Sequence, residues 1–428
     1  MQKEDSSKLR VLLLTPFPPY PPDNGGMLRV LSLVSRLKDR FDLRLITFVR
    51  ETGERRFKQN AALLALREVF SQIHCVPKES TDLPRSAAPD LPEICREWYS
   101  PQMAARLAEA AQDADIVHIE FFQMAFYSWY VRDRPVVFTE HDTSHLSLRR
   151  SYFREWTGWS RLLKVREWLR VLRHHREVCS SFERIVTLTR ADEARLRRIV
   201  PAGKLVHVPT GVDLGRFAFH PRRGGSDGER SARSPLLDGS RRGGAEIVFV
   251  GHYPHYPNED AALWFCGEVL PILRQRRPEV RVLLVGSQPT ERVRALAGPD
   301  VEVTGTVPDV RPYLERAAVF VAPLRLGFGV KGKVLEAFSA GAPVVATSTV
   351  AEGFPEAREG EHWLRADAPA DFAREILRLI DDPELSARLA RSARALVEDS
   401  YGWDPCAERL AGLYESLALR GKEAVVDA

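Results

Sequence analysis

Short apolar runs separated by amphipathic stretches of helical length recur along the whole chain, and that alternation narrows the fold more than any other feature. In the first half the runs fall at residues 10–15, 43–48, 115–119, 136–139, 184–188 and 205–208. Apolar runs this short, spaced by helix-length segments, read as strands of parallel sheets covered on both faces. The pattern breaks at 221–244, a stretch of Arg, Gly, Ser and Asp with one apolar pair at Leu236 and Leu237. Such composition reads as a flexible linker. The alternation restarts at 246–250, 282–285, 301–304, 319–322 and 344–347. The expectation is an α/β chain of two Rossmann-like doubly wound parallel-sheet domains, 1–218 and 245–400, joined by a linker at 219–244 and facing a cleft. Open parallel sheets bind ligands at the C-terminal ends of their strands.

Bulk properties exclude several classes of function. The 428 residues, 44% hydrophobic and 28% charged, suffice for two separate cores. With 62 basic against 58 acidic side chains the formal charge is only +4. No global field is present to hold nucleic acid by counterion release. The five cysteines, at 75, 95, 179, 266 and 406, stand at least 20 residues apart. That spacing offers neither paired metal ligands nor a dense disulfide framework, and it suits a reducing cytoplasm. The opening MQKEDSSKLR runs into a short apolar strand without a cleavage site. No uncharged apolar stretch approaches the about 18 residues of a membrane span. A cytoplasmic protein, not integral to a membrane, is expected.

The richest segment is 321–347, VAPLRLGFGVKGKVLEAFSAGAPVVAT. A strand ends near Pro323, Gly327, Gly329 and Gly332 make a loop, and a helix carrying Lys333 and Glu336 follows. Glycines let backbone N–H groups approach a phosphate, and a helix start adds its positive dipole end. Lys331 and Lys333 are placed to neutralise a diphosphate, and Glu336 to accept two hydrogen bonds from a ribose diol. Read blandly, Lys333 and Glu336 are an i, i+3 surface pair.

Taken whole, the segment resembles the donor-site signature of retaining glycosyltransferase family 4, the glycosyl transferases group 1. The likeness rests on Gly327, Gly329, the Leu335, Glu336, Ala337 triplet, then Gly341, Pro343, Val344 and Val345, and continues from Ala351 to Phe354. It departs at one point. Where many members carry a first glutamate ahead of the second, Phe328 stands here in a loop rich in glycine and lysine. The resemblance implies the GT-B fold, transfer with retention, no metal, no cofactor and no protein nucleophile, the leaving diphosphate helping to deprotonate the acceptor. It implies donor contacts from Gly327, Phe328, Gly329, Val330, Lys331, Lys333, Leu335 and Glu336, with Lys331 and Glu336 taking part in catalysis.

Other segments fit the same expectation. Gly25 and Gly26 follow the first strand at the start of a helix with apolar residues at 27, 30, 31 and 34. The loop lacks the Gly-x-Gly-x-x-Gly string of a dinucleotide dehydrogenase. The resemblance places these glycines over the donor phosphates or the acceptor, while a helix start capped by Asn24 is the plain alternative. His141 follows a strand end, and by resemblance it touches the donor sugar near the reacting carbon. Otherwise it is a loop residue beside a cap built from Asp142, Thr143 or Ser144. His118 lies inside a strand and reads as a core or cleft-edge histidine. In GHYPHYPN, Gly251 and His252 stand where many relatives place a diphosphate-gripping arginine, with His252 or His255 as weak substitutes. By resemblance the backbone around Val307 reads the nucleobase, and Asp309 is expected to cap a helix.

Asp113 and Asp115 have the spacing of a metal-binding carboxylate pair but precede their strand, at the end remote from the expected site. From 149 to 176 there are nine Lys or Arg against two acidic residues, interleaved with Trp156, Trp159 and Trp168. Such a segment either lies on an anionic membrane surface or forms a solvated helix. The tail 401–428 resembles the family's closing helix, which returns to the first domain, with Tyr401 and Trp403 as packing residues.

The sum is a hexosyltransferase taking a sugar from a nucleotide-diphosphate donor to a glycan, lipid-linked or small-molecule acceptor, in polysaccharide or glycoconjugate biosynthesis. A sugar-nucleotide epimerase and a non-catalytic scaffold of an assembly complex remain open alternatives.

Overall fold

A computed structural model describes residues 8–22, 24–49, 63–78, 90–141, 145–146, 159–219, 244–327 and 330–426. Most of the expected linker therefore lies outside the described residues. The chain divides into two compact units, Met1–Thr210 with Trp403–Ala428, and Gly211–Gly402.

The first unit is built on β1 (Arg10–Thr15), β2 (Asp42–Val49), β3 (Gln72–Pro77), β4 (Ile116–Glu120), β5 (Val136–Glu140), β6 (Arg184–Thr187) and β7 (Leu205–His207). They form one sheet in the order β3-β2-β1-β4-β5-β6-β7, and every pairing is parallel. Alternate residues of β1 show why both faces are dry. Val11 and Leu13 join one core cluster with Val30, Leu33 and Val34 of helix α1 (Gly25–Leu37). Leu12 and Leu14 join the opposite cluster with Met103, Leu107 and Phe138. Asn24 caps α1, its Oδ1 accepting from the Met27 amide at 3.0 Å. Helix α2 (Trp159–Ser180) precedes β6.

The second unit carries β8 (Glu246–Val250), β9 (Arg281–Val285), β10 (Val301–Gly305), β11 (Val319–Ala322), β12 (Val344–Ala346) and β13 (Leu364–Arg365). Their order is β10-β9-β8-β11-β12-β13, again parallel throughout. Helices α3 (Tyr256–Trp264) and α4 (Gly332–Ala340) follow β8 and β11. The last helix, α5 (Trp403–Val426), belongs to the first unit, where Trp403, Leu410 and Tyr414 share the core cluster of α1.

Strands β3 and β13 correspond to no apolar run. β3 is an edge strand, and Gln72 and His74 stand in it where a central strand would need aliphatic residues. β13 is only two residues long. Phe354 is a packing residue, 1% exposed, with Trp363 at 5.7 Å and Tyr401 at 5.9 Å between ring centroids. Among the described residues no helix is long and apolar enough to cross a membrane.

The Trp403 side chain is 3% exposed in the first unit's core. Trp403→Ala should cost about 3–5 kcal/mol by transfer and cavity terms. Denaturant unfolding checks this, and a loss below about 1 kcal/mol would show that α5 is dispensable to that core.

Candidate functional site

In each unit the order in which strands are added reverses once, between β1 and β4 and between β8 and β11. Loops on either side of such a reversal leave for opposite faces and open a crevice at the strand ends. The loop after β8 and the segment from β11 into α4 flank the reversal of the second unit.

Two backbones meet closely there. Gly286, after β9, has φ +143, and a Cβ on it would lie 1.8 Å from the Gly251 carbonyl oxygen. Only glycine fits this approach. A hydrogen-bond chain then links three segments. His252 Nδ1 lies 2.8 Å from Ser287 Oγ, Asn258 Nδ2 donates to the His252 carbonyl at 2.8 Å, and Lys333 Nζ donates to Asn258 Oδ1 at 2.6 Å. The Lys333 ammonium also sits 4.7 Å from the centroid of the Phe249 ring.

Burial, and then repulsion from Lys331, push Lys333 down to about 7 against the opposing pull of Glu336. Burial pushes the Glu336 carboxyl up, opposed by Arg216 and Lys333. Nearby His255 is pushed down by burial and then by Lys333 and Lys331. The first turn of α4 is thus an electropositive spot at a helix N-terminus, suited to an anion. Leu335 is fully buried and holds α4 on the sheet. Val330 and Val307 are half-buried against the same core. Gly327 has φ +103, while Phe328 and Gly329 lie outside the described residues.

Beside Val307 a cavity of about 500 Å³ opens at the ends of β9 and β10, lined by Gln288, Pro289, Arg294, Thr304 and Thr306 among others. Asp309 caps in a modified way. The helix begins at Arg311, and Asp309 Oδ1 accepts from the Arg311 amide at 3.0 Å, while Val310 holds the cap position.

In the first unit Gly25 and Gly26 form the first turn of α1. His141 follows β5, its Nε2 2.7 Å from Glu120 Oε2. Glu120, at the end of β4 and 2% exposed, was not among the residues singled out by sequence. Burial alone would push its carboxyl up, but His118, His141 and Arg29 outweigh that and hold it at about 2. His118 is a core residue, 1% exposed. Its ring nitrogens lie 2.5 Å from Tyr414 Oη and 2.7 Å from Thr139 Oγ1, and burial pushes it down to about 4. Asp142, Thr143 and Ser144 lie outside the described residues.

Asp113 and Asp115 are engaged by arginines. Arg44 Nη1 meets Asp113 Oδ2 at 2.6 Å and Arg10 Nη2 meets Asp115 Oδ1 at 2.9 Å. Among the described residues no group of three or more His, Cys, Asp or Glu is placed to hold a metal ion.

Residues 23–216 match the model of Glycosyltransferase Family 4, and residues 244–382 that of Glycosyl transferases group 1. The chain belongs to the family 4-like glycosyltransferases of GT-B fold. The glycosyltransferase is 28% identical over 233 residues to the phosphatidyl-myo-inositol mannosyltransferase of Mycobacterium tuberculosis, covering 52% of this chain and 56% of that protein. It therefore spans about half the length of that relative. It is 25% identical over 431 residues to the D-inositol 3-phosphate glycosyltransferase of Salinispora arenicola, covering 94% and 89% of the two chains. The crystal structure of Anabaena HepE in complex with UDP and glucose shares the fold, with a TM-score of 0.66 at 15% identity over 95% of this chain and all 100% of that one.

Lys333 gives this glycosyltransferase a measurable signature. Its folded value of about 7 lies below the ordinary 10.5, so between the two the unfolded chain holds one more proton. Stability should rise with pH from about 7 toward 10, and the penalty is complete below about 7. The side chain stays partly accessible, so water offsets part of the cost. Lys333→Met should stabilise the second unit by about 1–2 kcal/mol at pH 6–7 and abolish the rise. Unfolding at several pH values checks it; a destabilised variant, or one that keeps the rise, contradicts the burial of a charge.

Proposed function

We propose that the chain transfers a hexose, with retention, from a nucleoside diphosphate sugar to an acceptor hydroxyl. The observation that carries this reading is that Lys331, Lys333 and Glu336 stand together at one sheet reversal, where burial and Lys331 disfavour the Lys333 ammonium. Lys331, Lys333 and the main chain at Gly327, Phe328, Gly329 and Val330 take the diphosphate. Glu336 takes the ribose diol, the backbone around Gly251, His252 and Val307 lines the nucleotide, and His141 binds the sugar. Gly25 and Gly26 supply main-chain N–H groups in the first unit.

The acceptor oxygen bonds to the anomeric carbon as the bond from that carbon to phosphate breaks. The acceptor proton passes to the leaving phosphate oxygen. The protein contributes positioning and charge stabilisation, and neither a nucleophile nor a metal. Both relatives named above carry inositol in their names, which supports a polyol acceptor, lipid-linked or free, over a long glycan. The product then belongs to glycoconjugate synthesis.

Contact with an anionic membrane surface is part of the same reading. On α2 the exposed positions Leu162, Arg166, Leu169, Arg173 and Arg176 fall on one stripe with Leu163 beside it. The three leucines are 60%, 69% and 52% exposed in chain order. Apolar groups set among cations suit anionic headgroups. Trp168 is not part of this face, since its Nε1 donates to the His145 carbonyl at 2.9 Å. Residues 149–158 lie outside the described residues.

Purified protein should be stabilised selectively by one of UDP, GDP or ADP, or its sugar conjugate. At a hundredfold excess over Kd the gain is about 2.7 kcal/mol, or roughly 5–10 °C for a unit of this size. Glu336→Ala should lose the shift while keeping its own melting transition. No shift with any nucleotide would favour a scaffold. EDTA should leave transfer unchanged, and abolition by EDTA would overturn the metal-free mechanism. Sedimentation with phosphatidylglycerol vesicles at low salt should fall when Leu162, Leu163 and Leu169 become Ser; absence of sedimentation in the parent protein removes the membrane contact.

A further inference from the structure

Phe121 follows β4 with φ 73 and ψ 137, a backbone conformation that a bulky side chain rarely adopts. Such geometry costs on the order of 1–3 kcal/mol and persists only where the surroundings over-determine it. The surroundings here are specific. The Phe121 ring stacks on the His141 imidazole, centroids 3.9 Å apart and planes within 2° of parallel. Phe17 meets the same ring edge-on at 5.2 Å. A Cβ on Gly26 would lie 2.7 Å from two atoms of that ring, closer than real contacts allow.

The residue before it holds the edge of the same imidazole. Glu120 Oε2 lies 2.7 Å from His141 Nε2, and an ionised carboxylate only accepts, so Nε2 carries the proton. Glu120 is itself held. Arg29 Nη1 lies 4.0 Å from Glu120 Oε1, and Arg29 Nη2 donates to the Val208 carbonyl at 3.0 Å. With Nε2 committed, Nδ1 is the imidazole atom left to meet a ligand. The His141 side chain keeps 16% of its surface exposed.

We infer that Glu120 and Phe121 are positioning residues that clamp His141 by its edge and its face, so that it meets the donor sugar through Nδ1. Gly26 is glycine because the clamping ring occupies the place of its side chain. This rests on the sugar-binding role proposed for His141, and its test separates the two. A buried carboxylate that fixes the tautomer and plane of a histidine is how protein sites hold an imidazole in one working orientation.

The direct reading is the ¹⁵N spectrum of histidine-labelled full-length protein at pH 8, where the His141 signal, assigned by its loss in His141→Ala, should show the Nε2–H tautomer. An Nδ1–H tautomer overturns the clamp whatever the reaction is. The functional reading uses Gly26→Ala and Phe121→Leu beside Glu120→Gln, which risks unfolding because it leaves Arg29 without its anion. Alanine suits the helical backbone of Gly26, but its Cβ must displace the Phe121 ring, so that variant should melt somewhat below the parent and keep a single cooperative transition. With UDP-glucose and GDP-mannose as probes, sugar release or transfer should fall at least tenfold in kcat in Gly26→Ala and Phe121→Leu, while nucleoside diphosphate affinity in Phe121→Leu stays within twofold. A kcat within twofold of the parent in both overturns the positioning role. Loss of nucleoside diphosphate affinity in Phe121→Leu overturns the positioning role, since the ring would then serve donor binding itself. A parent protein inert toward both probes counts against the sugar-binding role, and the tautomer then decides the clamp alone.

Discussion

A parallel sheet that adds strands first to one side and then to the other must reverse once, and the helices that follow the two central strands then lie on opposite faces. A crevice opens at the ends of those strands, where backbone and side chains can meet a ligand. In the second unit the reversal lies between β8 and β11, and Gly251, Asn258, Lys333 and Glu336 belong to the two segments that flank it. In the first unit it lies between β1 and β4, beside Gly26, Glu120 and Phe121. The apolar strands are the means by which these groups are held, since Ile247, Val248, Phe249, Val319, Phe320 and Val321 are each fully buried.

At both places the chain accepts an energetic cost. Lys333 is kept near neutrality by burial and by Lys331, and Glu336 is pushed the other way by its own burial. Both costs fall when a diphosphate faces the ammonium and a diol faces the carboxylate, because each gains a partner of the right polarity. In the first unit the carboxylate of Glu120 is faced by Arg29 and held by its hydrogen bond with His141, and strain is stored instead in the Phe121 backbone.

Much of this was legible in the sequence, for reasons that particular residues make plain. Central strands such as β1 and β11 are apolar on both faces and announce themselves. β3 did not, because an edge strand tolerates Gln72 and His74. The glycine and lysine loop before Glu336 was readable because its members are neighbours in the chain. Glu120 and His141 are 21 positions apart and meet only because β4 and β5 pair with Glu120 opposite Thr139. No local pattern carries that register. The available signal was an acidic residue closing the apolar strand Ile116–Glu120, where a carboxylate needs a partner. Asn24 caps α1 as expected, while Asp309 supplies its hydrogen bond from one position before the cap.

The central claim is that the start of α4 receives a nucleoside diphosphate. A crystal structure of the full chain grown with the nucleotide that gives the largest thermal shift tests it most directly. The account predicts the diphosphate within hydrogen-bonding distance of Lys331 and Lys333, and both ribose hydroxyls on Glu336. A nucleotide bound elsewhere, with Lys333 still on Asn258 and Glu336 unliganded, would contradict it.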